Sequence, residues 1–93
     1  MKKPEISFRV FGGSGPLSIY WTDGPYGDAI DSTSGKGVAW ISPSGDTLGV
    51  EFDDVNEAKD HQVLKLTNGE IVTVDVIRGK VKVDKSGALR KHG

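Results

Sequence analysis

A chain of 93 residues supports one hydrophobic core and excludes two independent ones. With 35% apolar residues, 27% charged residues and a formal net charge of −1, it is too apolar and too weakly charged for wholesale disorder, and so thin a core does not wrap a deep catalytic cavity. Ten Val and six Ile stand against five Leu and four Ala, with thirteen Gly and four Pro among them, a vocabulary of strands and turns.

Ile6, Phe8 and Val10 alternate with Ser7 and Arg9 and predict a first strand, Phe11 falling to the opposite face. The run Gly-Gly-Ser-Gly-Pro at 12–16 breaks it, and Leu17, Ile19 and Trp21 restart the alternation against Ser18, Tyr20 and Thr22. Residues 22–36 are rich in Gly, Asp and Ser, with only Tyr26, Ala29 and Ile30 to bury, and read as the longest irregular loop. Residues 37–41 and 47–52 predict a hairpin about a turn at 42–45, with Trp40 anchoring it to the core. The acidic segment 53–60 reads as a connector of one or two helical turns with Val55 inward. Residues 63–66 and 71–77 predict a second hairpin, whose Asn68-Gly69 pair suits a type I′ turn. Arg78 and Gly79 then turn the chain into a last strand around Val81 and Val83.

About seven short antiparallel strands in one small chain predict an all-β fold, a single β-sandwich, with an SH3-like or Sm-like small barrel as the alternative. Parallel α/β architecture is excluded, because no amphipathic run is long enough for a crossover helix. One domain is expected over 1–93, ordered from about 5 to 84, with 85–93 as a frayed tail.

Cysteine is absent, which removes disulfides and thiolate zinc sites and favours a reducing, cytoplasmic setting. Lys2 and Lys3 meet Pro4 and Glu5 with no apolar run behind them, unlike a signal peptide. No segment approaches the roughly 20 apolar residues of a membrane-spanning helix, so no membrane partner is expected. The small net charge hides a segregated chain. Asp46, Glu51, Asp53, Asp54, Glu57 and Asp60 outweigh Lys36 and Lys59 in residues 32–60, whereas Lys65, Arg78, Lys80, Lys82, Lys85, Arg90 and Lys91 outweigh Glu70, Asp75 and Asp84 beyond them. Such patches steer partners of opposite charge, although lysines on an edge strand also serve simply to block aggregation.

Catalytic constellations are missing. Gly12, Gly13, Ser14 and Gly15 lead into Pro16 and not into the Gly-Lys-Ser/Thr that opens the helix of a phosphate-binding loop. His61 beside Asp60 and His92 in the tail offer neither paired metal ligands nor a relay, so surface histidines are the plain reading and no catalytic residue, metal or cofactor is assigned. Asp23, Asp28 and Asp31 lack the spacing of an EF-hand; calcium ligation and Asx turns that satisfy loop amides remain alternatives for them. Trp21 and Trp40 are expected in the core, leaving Tyr20 and Tyr26 as the aromatic contact candidates.

The run Val10-Phe11-Gly12-Gly13-Ser14-Gly15-Pro16-Leu17-Ser18-Ile19-Tyr20-Trp21-Thr22-Asp23-Gly24 resembles the strand-turn-strand opening of Ig-like, PKD-type repeats. The resemblance implies an Ig-like sandwich with Trp21 between its sheets, in a family that mostly serves adhesion or spacing. Val76-Ile77-Arg78-Gly79 is similar to the Ile-Arg-Gly turn of Sm-like RNA-binding proteins, which implies Arg78 near an RNA base. The expected function is therefore a non-enzymatic module that binds a macromolecule, most naturally a protein. Its contacts would be Tyr20, Asp23, Tyr26, Asp28 and Asp31 in and beside loop 22–36, together with a strand edge that also suits a second copy of the chain. One alternative is a nucleic-acid-binding barrel using Arg78, Lys80 and Lys82. Another is a viral or bacterial accessory subunit or a host-directed inhibitor.

Overall fold

The computed structural model describes residues 4–21, 29–31 and 37–87, and among them every regular element is a strand. They are β1 (Glu5–Phe8), β2 (Ser14–Tyr20), β3 (Ala29–Asp31), β4 (Gly37–Ile41), β5 (Thr47–Asn56), β6 (Lys59–Lys65), β7 (Glu70–Ile77) and β8 (Lys80–Gly87). All neighbours run antiparallel, in a five-stranded sheet ordered β1-β2-β5-β4-β3 and a three-stranded sheet ordered β6-β7-β8. The fold is thus all-β, and two separate sheets sharing one core make it a small sandwich in place of the alternative closed barrel. The strand beyond the expected seven is β3, three residues within the predicted irregular loop that pair with Val38, Ala39 and Trp40. At the other end, β8 runs through Gly87, because residues 85–87 pair with Glu70, Ile71 and Val72, so the fraying expected from 85 does not begin there.

Alternation explains the core. On the larger sheet Ile19, Val50 and Ala39 lie in one cross-strand row and Leu17 and Phe52 in the next, all buried. On the smaller sheet Leu64, Val72, Val74 and Val76 face them and are fully buried, with Val81 and Val83 packed alongside. Trp21, directly after β2, packs against this cluster, and Lys85 of the opposite sheet carries its ammonium 4.5 Å from the indole centroid, a cation–π contact between the layers. Trp40 departs from expectation. In β4 it is Ala39 and Ile41 that turn inward, which puts Trp40 on the outer face.

Pro16 lies inside β2, although its sequence neighbourhood reads as a break. Proline cannot donate to a ladder, and a bulge absorbs the mismatch: Gly15 pairs with Val55 and Leu17 with Phe52, so Asp53 and Asp54 together face the single residue Pro16. Both aspartates are exposed and Val55 returns to the core.

The same segment does not form the expected helical turns. β5 continues to Asn56, Glu57 and Ala58 make the bend, and β6 begins at Lys59, carrying the chain from one sheet to the other. Side-chain oxygens replace helical hydrogen bonds here: Asn56 Oδ1 accepts from the Ala58 amide at 2.8 Å, and the Asp60 carboxylate accepts from the amides of Asn56 at 2.8 Å and His61 at 2.7 Å. Asn and Asp compete with a helix in this way wherever burial of a neighbour, here Val55, favours an extended chain.

Turn types also redistribute. Positive φ at both central residues, the mark of type I′, occurs at Gly12-Gly13 (68° and 97°) and at Arg78-Gly79 (50° and 77°). Asn68-Gly69 is different, since only Gly69 is positive, at 93°. Gly69 donates to Leu66 O and Leu66 donates to Glu70 O, which makes a three-residue loop ending in a left-handed glycine. Residues 43–45 repeat that arrangement around Gly45.

Asn68 is needed for its side chain. Its Nδ2 donates to Gly45 O at 2.9 Å and to Thr47 Oγ1 at 2.8 Å, its Oδ1 accepts from the Glu70 amide at 3.0 Å, and the buried Thr47 hydroxyl donates to the Glu70 carboxylate. This network ties the two sheets at one pole. At the opposite pole three turns are joined through their backbones, Glu57 N to Gly13 O, Gly79 N to Glu57 O and Arg78 N to Ala58 O. Asn68→Ala strands the Thr47–Glu70 pair and is expected to lower unfolding free energy by about 2 kcal/mol. Thr67→Ala in the same loop should stay within about 0.5 kcal/mol when both variants are unfolded in urea.

Candidate partner-binding face

The outer face of the five-stranded sheet is built on an absence. Gly49 of β5 lies between Tyr20 of β2 and Trp40 of β4 in one cross-strand row. A Cβ at Gly49 would come within 2.5 Å of the Tyr20 ring, so the aromatic side chain covers the bare backbone there. Over it the two rings meet, centroids 5.9 Å apart and planes inclined at 49°, within the range of favourable aromatic pairing.

The next row is polar. Ser18 donates to Glu51 Oε2 at 2.9 Å, which fixes the carboxylate on this face, and Val38 follows it across the sheet. Ser7, Arg9, Pro16, Ser18, Tyr20 and Glu51 line an open groove of about 310 Å³ beside the rings. One face therefore presents aromatic area, a guanidinium, a carboxylate held in place and hydroxyls, all mounted on paired strands.

Of the predicted contact residues, Tyr20 is on this face, and Asp31 lies in β3 in register with Val38, three strands from Ser18 by way of Glu51 and Val38. Asp23, Tyr26 and Asp28 lie outside the described residues. Trp40 is the residue that sequence reasoning missed. The signal was Gly49 itself, a glycine inside an alternating strand, which marks close approach by another group.

The alternative set, Arg78, Lys80 and Lys82, is gathered at the tip of β7 and β8 around a second open groove, of about 600 Å³, lined also by Asp75, Ile77 and Val81. His61 pairs with Asp75 across the ladder, Nδ1 to Oδ1 at 2.6 Å, and not with its neighbour Asp60 through the ring. Both side chains of the pair are half or more exposed. Among the described residues no group of three or more His, Cys, Asp or Glu is placed to hold a metal ion, and no helix is long and apolar enough to cross a membrane. No protein-family model, curated protein or solved structure matches this chain.

Proposed function

We propose that the chain is a non-enzymatic interaction module that binds a protein partner through the outer face of its five-stranded sheet. Tyr20 and Trp40 anchor the contact, and residues 22–36, with Asp23, Tyr26, Asp28 and Asp31, extend it. The observation that carries this reading is the ring pair over Gly49, directly before the chain enters 22–28. Tyrosine and tryptophan supply large, amphipathic contact area with two torsions each to immobilise, which is why they dominate binding hot spots. The strand arrangement adds to it, since β3 is one of the two edge strands among the described strands of the sheet and flanks the same face, where a partner strand can pair. The likeness of residues 10–24 to repeats of adhesive and spacer proteins points the same way.

The test is capture of partners from extract of the native host by the wild-type chain and by a Tyr20→Ser, Trp40→Ser variant. A specific partner should be held by the wild type and weakened by about a hundredfold or more in the variant, with the far-ultraviolet circular dichroism of both proteins unchanged. Equal retention by a folded variant overturns the assignment, as does full retention after deletion of residues 24–34.

A further inference from the structure

The outer face of the three-stranded sheet has a chemistry of its own. Register places Lys59, Ile77 and Lys80 in one row and His61, Asp75 and Lys82 in the next, with Arg78 at the turn between β7 and β8. No ion pair within the described residues engages Lys59, Arg78, Lys80 or Lys82, whereas Asp75 is taken by His61. In the middle of these cations Ile77 is 57% exposed and gives this face its apolar surface, whereas Val81, in register with the buried Val76, lines the groove from the core side of β8.

Two further observations mark the tip. Arg78 is the one non-glycine residue with positive φ among the described residues, at 50°, and nothing near the neighbouring Gly79 restricts the turn sterically. Glycine would occupy position 78 with less strain, so the guanidinium is kept against a local conformational cost, a pattern associated with functional sites. β8 is also the last strand of its sheet, and no described strand pairs with its far side. Every second residue along it turns its backbone amide and carbonyl to that open edge.

We propose that this tip and edge dock an extended acidic peptide that carries an apolar side chain. The peptide adds as a strand along β8, an apolar residue of it lies against Ile77, and its carboxylates on the same face meet Arg78, Lys80 and Lys82. The face favours this occupant over a nucleic acid. The open amides and carbonyls of β8 pair with a peptide backbone and not with a sugar-phosphate chain, the exposed Ile77 suits an apolar side chain, and no Phe, Tyr or Trp among the described residues of this face offers a stacking platform. The site is distinct from the Tyr20 face, so either reading can fail alone.

The probe is a fluorescein-labelled octapeptide, Glu-Thr-Val-Thr-Glu-Thr-Glu-Thr, whose Val and Glu side chains share one face of a strand, read by anisotropy at low and at physiological salt. Binding should weaken with salt and fall by about tenfold in Ile77→Ser and in a Lys80→Glu, Lys82→Glu variant, and by a lesser factor in Arg78→Gly. The same peptide with Ser in place of its Val should bind less well. Ile77 is exposed and Arg78→Gly relieves strain, so these variants keep the fold, which an unchanged thermal midpoint checks. Absence of binding overturns the proposal, as does an undiminished affinity in Ile77→Ser or tighter binding of an oligothymidylate of equal charge. Concentration-dependent self-association that displaces the peptide overturns it in favour of a second copy on β8.

Discussion

Gly15→Ala is expected to destabilise the protein by about 3 kcal/mol, although it adds a single methyl group. A Cβ at position 15 would stand 1.8 Å from the carbonyl oxygen of Arg9 and 2.9 Å from its carbonyl carbon, with Val10 Cα at 3.2 Å. All three atoms are backbone, so no rotamer change relieves the clash. The chain leaving β1 passes directly over Gly15 because the Gly12-Gly13 turn folds it back at once and Phe11 N donates to Ser14 O at 2.8 Å. Accommodation must open the β1–β2 hairpin or push β2 into Val55, its fully buried partner on β5. Gly45→Ala is the control. Gly45 has φ of 95° with nothing within 4 Å of an added Cβ, so it carries only the conformational penalty of a left-handed residue, about 1 kcal/mol. Urea titrations of the two variants separate the causes, and a Gly15→Ala protein as stable as Gly45→Ala would contradict the close passage of Arg9.

Phe52→Ala is expected to remove about 4 kcal/mol, the larger effect of the two. Phe52 heads the fully buried side chains in volume and is 1% exposed. Its ladder neighbours are Leu17 on β2 and Gly37 on β4, so on one side no side chain can lean in to fill the void. Gly37 cannot be enlarged to compensate, since a Cβ there would stand 2.2 Å from Glu51 O. Domains of this kind have roughly 5 to 15 kcal/mol of total stability, so the variant should be partly unfolded at 37 °C, while Phe52→Leu should lose no more than about 1.5 kcal/mol. Chemical denaturation monitored by tryptophan fluorescence reads both. A loss below about 1 kcal/mol for Phe52→Ala would mean that the two sheets close together over the vacated space.

Much of the fold was legible wherever alternation was regular. Leu17 and Ile19, Val50 and Phe52, and Val72, Val74 and Val76 all fall on the face their spacing predicts. The sites were less so. Arg78, Lys80 and Lys82 could be named because sequence neighbours on a hairpin stay neighbours in space. Tyr20 could be named from its place opposite Ile19, but Trp40 comes from a strand that is remote in sequence and was mistaken for core, since a large apolar ring is usually buried. The acidic segment misled for a related reason. Asp, Asn, Glu, Ala and Lys over 53–60 suit a short helix or a loop by composition, and only the bulge opposite Pro16 and the pull of Val55 into the core make them extended.

What the sequence determined by itself was local: β-branched alternation made strands, glycines with positive φ closed turns, and the absence of cysteine left apolar packing to hold the layers. The tertiary structure alone decided which strands became neighbours, and through that the Tyr20–Trp40 pair, the clamp of Asn68 on Thr47 and the handover from one sheet to the other at residues 57–58. The physical reason is range. Backbone propensity acts over a few residues, whereas register across β2, β5 and β4 is chosen by burying Leu17, Ile19, Val50 and Phe52 together, and every residue on the opposite face follows from that choice.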